Sequence, residues 1–377
     1  MLEQDLLFVE GAFKKYYFEH FDLLSIPNLT LEREFGYQKF NGGMNRHITI
    51  KSKEELRLML ITNIPSDVYS SNGYYSFPNL PMSEKDWKEA DLIFDIDAKD
   101  LNLSCRQKHT CIKCLSCENI SNSQLTCPTC KSNKIEVKSL TCKNCIDGAK
   151  QEVYKLKEIL EEDLAIKKEN IQIYFSGNEG FHIHVVDSLY QQLGSRERND
   201  LVDYIMFRGA IPETFGMKKN KPERSSFAEI GEKGWRGRAS KHILGSKSNR
   251  SKVITQLISN SSGYSVFQEK LDSLKDVIGV KIDPNVTIDI HRIFRLPGSL
   301  NSKSGMSKIL CEDLDKINPF SDACLIDDEQ IEIMANCPVQ FTLKNKKFGP
   351  YRNEKINIPK YAAIYLICKG LGNITSN

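Results

Sequence analysis

The spacing of apolar residues changes along the chain between helical intervals and strand-like alternation. Apolar residues at intervals of three or four share one face of a helix. This spacing predicts a helix that contains Ala149, Val153, Leu156 and Leu160. A helix is also predicted over Leu7–Phe21, and an apolar helix over Lys360–Leu371, which Gly372 is expected to end.

Short apolar runs and alternating patterns predict strands between these helices. The predicted strands are one near His47–Ile50, then Asp91–Asp97, Ile171–Ser176 and His182–Val186, and finally a strand, turn and strand over 277–300. Strands that alternate with helices predict an α/β or α+β fold.

The chain has 377 residues, 40% of them apolar, and is too long for one minimal domain. Residues 104–147 are rich in Cys, Lys, Ser and Asn and cannot build a core unaided. We therefore expect a catalytic body formed by 1–103 and 148–377, interrupted by a metal-binding module over 104–147. A polar, largely helical insertion is expected around 190–265.

The net charge is only +3, so local basic patches must carry any argument for nucleic-acid binding. The N-terminus lacks the regions of a signal peptide, and no apolar run approaches the roughly 20 residues that span a bilayer. We expect a soluble, cytoplasmic protein without a membrane partner. In a reducing compartment, clustered cysteines bind metal more often than they form disulfides.

Two carboxylates end the predicted strand Asp91–Asp97. Alternation places Asp95 and Asp97 on one face, where two like charges favour a bound cation, and oxygen ligands suit Mg²⁺ or Mn²⁺. Asp283, expected at the start of a later strand, would complete a two-metal phosphoryl-transfer site. Asp289 competes with it as third ligand, and spacing alone does not decide between them.

Two further segments carry groups that could bind phosphate. The turn Ser176-Gly177-Asn178-Glu179-Gly180 precedes His182, and its hydroxyl, amides and imidazole could donate to phosphate oxygens. An ordinary Gly-containing hairpin would explain the same string. Downstream, Arg292 and Arg295 are candidates to neutralise a triphosphate.

In this order, the three segments resemble the small catalytic subunit of archaeal and eukaryotic DNA primases. The matching motifs are the Asp-x-Asp strand, the Ser-Gly-x-x-Gly-x-His turn and the late Asp followed by Arg295-Leu296-Pro297-Gly298-Ser299. Arg33-Glu34-Phe35-Gly36 with Arg46-His47 is similar to the family's N-terminal motif, and 358–371 to its archaeal C-terminal helix.

The resemblance implies the archaeo-eukaryotic primase fold, with a mixed central sheet flanked by helices. It implies that Asp95, Asp97 and Asp283 bind the catalytic Mg²⁺ or Mn²⁺ and that Glu34 lies near the site. The nucleotide-binding residues that it implies are Ser176, Gly177, His182, Arg295, Arg46 and Asn301.

This chain departs from the family pattern at two places. Asn178 and Glu179 stand where members often carry Arg or Lys, and Glu179 cannot pair with phosphate. Asn301 stands where a His is common, and it can hydrogen-bond a nucleotide but cannot carry a proton charge. Lys303 is the nearest basic residue that could compensate.

Eight of the 12 cysteines lie between Cys105 and Cys145, in Cys-x-x-Cys pairs that are typical of zinc sites. Eight ligands suffice for two structural zincs. The family has one zinc knuckle here, which implies a first site of Cys105, Cys142, Cys145 and either Cys111 or His109. The remaining Cys114, Cys117, Cys127 and Cys130 would form a second site. The scattered cysteines Cys311, Cys324, Cys337 and Cys368 are expected in the core.

We therefore expect a DNA primase, a nucleotidyltransferase that makes short RNA primers on single-stranded DNA by two-metal catalysis. The resemblance implies a heterodimer with a large subunit, ribonucleoside triphosphates as substrates, with deoxyribonucleotides also possible, and a nucleoid-associated location in an archaeal cell. One alternative is a primase-polymerase of repair or plasmid replication that favours deoxynucleotides. Another is a non-catalytic zinc-ribbon protein that binds nucleic acid.

Overall fold

A computed structural model describes residues 2–122, 125–220, 222–229 and 231–375. The α-helices are α1 Glu3–Glu19, α2 Lys53–Asn63, α3 Lys143–Glu162, α4 Ser195–Ile205, α5 Gly234–Ile243, α6 Lys247–Ser259, α7 Gly263–Ile278, α8 Pro284–Ile288, α9 Pro319–Asp322 and α10 Lys360–Lys369. None of the described helices has the length and apolar content that a membrane span requires.

The strands of the first half are β1 Arg33–Gln38, β2 Met44–Ile48, β3 Asp67–Tyr75, β4 Trp87–Ala90, β5 Leu92–Asp97, β6 Thr110–Cys114, β7 Ile120–Ser121, β8 Ile135–Ser139, β9 Ile171–Phe175 and β10 Gly180–Val185. Those of the second half are β11 Ile293–Arg295, β12 Ile309–Leu310, β13 Gln330–Cys337, β14 Phe341–Leu343, β15 Lys346–Phe348, β16 Tyr351–Pro359 and β17 Gly372–Ile374. The α/β class predicted from the sequence is confirmed.

The chain divides into two compact units. The first comprises 1–150, 172–192 and 290–377, and the second comprises 151–171 and 193–289. All described strands except the first residue of β9 belong to the first unit, whereas α4 to α8 belong to the second.

Two sheets of the first unit carry the motifs identified in the sequence, where one central sheet was expected. One has the order β11-β3-β1-β2, with β4 paired to β3, and the other has the order β12-β9-β10-β5. They meet through Phe294 of β11, whose ring lies 5.9 Å from the rings of both His182 and His184 on β10. Strand β11, which carries Arg295, and strand β5, which carries Asp95, therefore belong to one packed body.

A buried polar cluster anchors the start of β5 to the neighbouring sheet. The Asp91 carboxylate receives Arg33 at 2.6 Å, the Tyr74 hydroxyl at 3.0 Å and the Gln191 amide at 2.6 Å. The Arg33 guanidinium also lies 4.0 Å from the centre of the Tyr74 ring. Because these groups satisfy one another, the charges can lie inside the core.

The C-terminal part of the first unit packs α10 against the β16-β13-β17 sheet. Helix α10 ends at Lys369, because Gly370 adopts a left-handed conformation with φ of 70°. The expectation that Gly372 ends this helix is wrong, since Gly372 begins β17.

The second unit is helical. Helices α5 and α6 pack on α7, and the apolar residues of these three helices form its core. The buried residues include Trp235, Ile243, Ile254, Leu257, Phe267 and Leu271.

Candidate active site and zinc centres

Asp95 and Asp97 lie at the C-terminal end of β5 on its accessible face. Both side chains are partly exposed, whereas Leu92, Phe94 and Ile96 are fully buried on the other face. The alternation inferred from the sequence is therefore confirmed. The two carboxylates lie on one face of β5, and the opposite face packs into the apolar core.

The antiparallel partner strand β10 brings the Ser-Gly turn to these carboxylates. His182 lies opposite Asp95 and Gly180 lies opposite Asp97. The His182 Nε2 atom is 3.6 Å from the Asp95 Oδ1 atom. A Cβ atom on Gly180 would lie 2.5 Å from Asp97 Oδ1 and closer still to the Ile96 carbonyl oxygen, so only glycine allows this approach.

The loop after β11 holds the turn in place. Gly177 has a φ of +86°, and a Cβ atom there would lie 2.9 Å from the Met306 carbonyl oxygen. The Asn301 amide donates to the Ser176 carbonyl at 3.3 Å, and the Ser304 hydroxyl donates to the Gly177 carbonyl. Asn301 is buried, so its contact in this structure is with the turn itself.

His182 is neutral at ordinary pH. Burial lowers its pKa well below the usual value, and the nearby charges of Lys308, Arg295 and Arg292 lower it further. Its approach to Asp95 is thus a polar contact between a neutral imidazole and a carboxylate. The side chains of Lys308, Arg295 and Arg292 are therefore all near this histidine.

Lys308 is a residue that sequence reasoning missed. Its Nζ atom lies 3.0 Å from His184 Nε2 and donates at 3.0 Å to the carbonyl oxygen of Arg295. The Lys308 side chain is fully buried. Burial, and to a smaller extent the charge of Arg295, lowers the pKa of Lys308 well below the usual value. Lys308 thereby links β10 to β11. No local pattern in the sequence predicts a buried lysine at this position.

Arg295 is paired within the first unit. Its guanidinium contacts the buried Asp67 carboxylate and donates at 2.8 Å to the Leu300 carbonyl oxygen. Its assignment to the triphosphate remains a prediction, and Asp67 already balances its charge. Arg292, the other candidate, is half-buried.

Arg46 and Glu34 form a second polar centre. The Arg46 guanidinium donates twice to the buried Glu34 carboxylate, at 2.8 and 3.0 Å, and the Lys85 ammonium lies 3.4 Å away. Burial raises the pKa of Glu34, but hydrogen bonds from Arg46 and the His47 amide and the charge of Lys85 outweigh it, so the pKa is lowered. Glu34 is therefore ionised and holds Arg46 in a fixed orientation.

The field around the two aspartates attracts cations. The ammonium of Lys99 contacts the carboxylate of Asp97, which lies two residues earlier in the chain. Burial lowers the pKa of Lys99, but the hydrogen bond to Asp97 and the charges of Asp97, Asp100 and Asp95 raise it overall. Carboxylate oxygens in such a field are the ligands that Mg²⁺ and Mn²⁺ prefer, so the site fits these ions.

Asp283 belongs to the second unit and does not begin a strand. It caps α8 and accepts a hydrogen bond from the Asn285 amide at 3.0 Å, with Pro284 at the first helical position. The predicted strand at this place is therefore wrong, because Asp at a cap followed by Pro is a helix start. Asp283 is partly exposed and Asp289 exposed, and the choice between them as metal ligands stays a prediction.

Four residues at the base of the cysteine segment could hold one zinc ion: Cys105, His109, Cys142 and Cys145. The Cys145 Sγ atom lies 3.6 Å from Cys105 Sγ and 3.3 Å from His109 Nε2. Tetrahedral ligands at about 2.3 Å from zinc would lie about 3.8 Å apart, so the group fits zinc.

Cys111 was the other candidate for this position, and the structure does not bring it into the group. It lies on β6, fully buried, and burial and the nearby Cys337 raise its pKa to about 12. Of the two residues left open by the sequence, the structure groups His109, and not Cys111, with Cys105, Cys142 and Cys145, and the ligation of zinc by this group stays a prediction.

The second group contains the four cysteines predicted for it, Cys114, Cys117, Cys127 and Cys130. The Cys114–Cys130 and Cys117–Cys127 sulfur pairs are each 3.5 Å apart. The small sheet β7-β6-β8 carries this group. The other cysteines pack as expected of core residues, Cys311, Cys324 and Cys337 being buried and Cys368 partly so.

The two unusual residues of the turn have charged partners. The Lys369 ammonium, at the end of α10, donates to the Asn178 side-chain oxygen at 2.8 Å. Arg106 lies 3.4 Å from the Glu179 carboxylate. Lys303, suggested from the sequence as compensation, is exposed and close enough to lower the pKa of Lys369. Lys369 was not foreseen, because it is nearly 200 residues away in the chain.

A family model and several curated proteins match this chain. Residues 132–309 match the family model described as DNA primase small subunit. The protein named "DNA primase small subunit PriS" of Nitrosopumilus maritimus (strain SCM1) is 63% identical, over 99% of this chain and 100% of its own. The protein of that name from Cenarchaeum symbiosum (strain A) is 52% identical, over 99% and 100%. A solved polymerase domain from Mycobacterium tuberculosis ligase D in complex with DNA covers 81% of this chain and 83% of its own at 10% identity, with a TM-score of 0.38.

Proposed function

This chain belongs to the DNA primase small-subunit family and is a nucleotidyltransferase, and from that premise we propose that it makes short RNA primers on single-stranded DNA. We infer that Asp95, Asp97 and Asp283 hold two Mg²⁺ or Mn²⁺ ions. Such ions, when bound, stabilise the attacking and the leaving oxygen of an in-line phosphoryl transfer.

The protein's own groups position the nucleotide. Ser176 and the amide of Gly177 donate to phosphate oxygens, and neutral His182 donates a ring N–H to phosphate instead of adding positive charge. Arg295 and Arg46 donate guanidinium hydrogen bonds to the phosphates, and each is oriented by its own carboxylate partner. Asn301 contributes by holding the turn.

The register of β5 against β10 is the observation that carries this proposal. Asp95 faces His182 and Asp97 faces Gly180, so the carboxylates and the phosphate-binding turn lie at one edge of one sheet. Phosphoryl transfer requires that metal ligands and phosphate donors are positioned next to each other. A zinc-ribbon protein without catalysis would have no use for this arrangement.

We further propose that the chain works as a heterodimer. The relatives are named as small subunits, which implies a large subunit as their partner. The two cysteine groups would hold structural zincs that brace the segment between β5 and α3.

Primer synthesis on single-stranded DNA tests the proposal. Labelled ribo- or deoxynucleotides are supplied with Mg²⁺ or Mn²⁺, with and without the large subunit. Asp95→Asn and Asp97→Asn each lower synthesis about a thousandfold or more, because several kcal/mol of transition-state stabilisation is lost. Asp283→Asn tests the third ligand in the same assay.

Asp100→Asn is the matched control, since Asp100 is a nearby exposed carboxylate outside the proposed site. Full activity of the Asp95 and Asp97 variants would refute the catalytic assignment. Incorporation of deoxynucleotides in preference to ribonucleotides would refute RNA primers as the product.

A further inference from the structure

The second unit contains a long segment without acidic residues. Residues 233–268 include seven Lys and Arg and no Asp or Glu, although Asp and Glu make up 49 of the 377 residues of the chain. This segment contains α5, α6 and the start of α7. A local excess of positive charge of this size is the electrostatic footprint of a polyanion-binding surface.

Several of these cations are engaged in holding the second unit together. Arg238 contacts Asp163, and Arg236 pairs with Glu232 at 2.7 Å. Arg250 donates to the carbonyl oxygens of Phe227 and Ala228. These arginines are structural, so a binding surface would be formed by the remaining cations.

One face of α6 presents the positive charge of Lys252 to solvent. The buried side of α6 carries Ile254 and Leu257, while Ser248, Lys252 and Thr255 are exposed at intervals of three or four on the other side. Ser251, Gln256 and Ser259 are exposed on this side too.

Arg224 extends this face from a separate part of the chain. Its guanidinium donates to the Thr255 hydroxyl at 2.7 Å, so it lies on the solvent side of α6 with a neutral partner. We call the set Arg224, Ser248, Lys252 and Thr255 the cationic face of α6. Two cations with hydroxyl groups between them match the groups that contact phosphodiesters in nucleic-acid complexes.

The composition of this face favours nucleic acid over a protein partner. Protein interfaces are built around buried apolar and aromatic anchors. Among the described residues of the second unit, the large apolar side chains that are exposed are Ile211 and Val277, and neither lies on α6. A phosphate backbone needs no such anchor.

We propose that the cationic face of α6 binds the phosphate backbone of single-stranded template DNA. The proposal rests on the template-dependent function proposed above and adds a contact surface in the second unit to it. Contacts to phosphate carry no base preference, so the cationic face of α6 would bind template of any sequence.

The test is the salt dependence of DNA binding by the full chain. A fluorescein-labelled single-stranded oligonucleotide is titrated by anisotropy at about 50 to 200 mM NaCl. Each phosphate contact on a single strand contributes about 0.7 to the slope of log K against log salt, so the double variant Arg224→Gln/Lys252→Gln lowers the slope by about 1.4. Over this fourfold salt range, the parent then loses about sevenfold more affinity than the variant.

A matched variant, Lys346→Gln/Lys347→Gln, removes two exposed charges from β15 and leaves the slope unchanged. Equal slopes for the parent and the Arg224/Lys252 variant overturn the proposal. The proposal is also overturned if the parent chain does not bind the oligonucleotide. The same holds if the variant loses affinity only for duplex DNA or only for the large subunit.

The Asp95→Ala/Asp97→Ala variant separates the two proposals. It is expected to lose primer synthesis and to keep the slope of the parent. If it stays active, the catalytic assignment fails while the binding result for α6 stands on its own.

Discussion

The Asp95 carboxylate lies 3.6 Å from the imidazole of His182 on the neighbouring strand. Burial and three nearby cations keep the pKa of His182 well below its usual value. Asp95 therefore faces a neutral imidazole, and His182 contributes a neutral donor beside it. The neutral state of His182 determines how this residue affects the pH dependence of the reaction.

Because His182 stays neutral, its titration does not contribute to the activity profile near neutral pH. The ratio of parent to His182→Asn activity is expected to stay constant between about pH 6 and 8, since the protonated form appears only well below the ordinary histidine pKa. Steady-state rates of nucleotide incorporation measure this ratio. A ratio that changes around pH 6.5 would mean that His182 ionises in the working range.

Gly180→Ala is expected to abolish activity and to destabilise the first unit. The added Cβ atom would lie 2.5 Å from Asp97 Oδ1, and it would collide with the Ile96 carbonyl, so β5 and β10 must separate at the site. Overlap with backbone in a packed sheet costs about 1 to 3 kcal/mol. Urea unfolding and primer synthesis measure the two effects.

Gly43→Ala is the control, because a Cβ atom there has open space. It is expected to change neither property measurably. Full activity in Gly180→Ala would show that the close approach of β10 to Asp97 is not required.

The alternation of β5 made the two carboxylates predictable from sequence, because strand periodicity is a local property. The helix at Pro284 was also within reach, since the Asp283-Pro284 pair is a helix-start signal that the strand interpretation overlooked. Lys308 and Lys369 were not within reach, because each meets its partner only after distant segments have packed together. Likewise, cysteine spacing could not distinguish His109 from Cys111.

Asp91→Ala is expected to lower the free energy of unfolding by about 3 to 5 kcal/mol, because it leaves the Arg33 charge buried without its partner. Chemical denaturation measures the loss. Glu32→Gln serves as the control, since the Lys88–Glu32 pair is exposed and such pairs contribute at most about 1 kcal/mol. Similar losses in both variants would contradict the role given to the buried cluster.

Lys369 should make stability rise with pH. Burial lowers its pKa to about 8, against the opposing charge of Glu179, while the unfolded chain keeps the ordinary value of 10.5. Between these values the unfolded state binds more protons, so the free energy of unfolding increases as pH rises. Relative to Lys369→Met, the parent should gain about 2 kcal/mol between pH 7 and 10.

Urea unfolding of both proteins at several pH values measures this difference. The subtraction removes the contributions of other buried lysines such as Lys308, which both proteins share. A difference that stays flat, or that falls as pH rises, would place Lys369 outside the buried contact with Asn178.

The zinc ligands can be distinguished by two substitutions at neighbouring positions. The parent is expected to hold about two zinc ions per chain, with four ligands each. His109→Ala removes a ligand whose Nε2 lies 3.3 Å from Cys145 Sγ, so it should reduce the content toward one ion. Cys111→Ser changes a buried thiol outside both groups and should keep two, although burying its new hydroxyl lowers stability. Elemental analysis of folded, desalted protein decides between them, because loss of zinc in Cys111→Ser with retention in His109→Ala would restore Cys111 as the ligand.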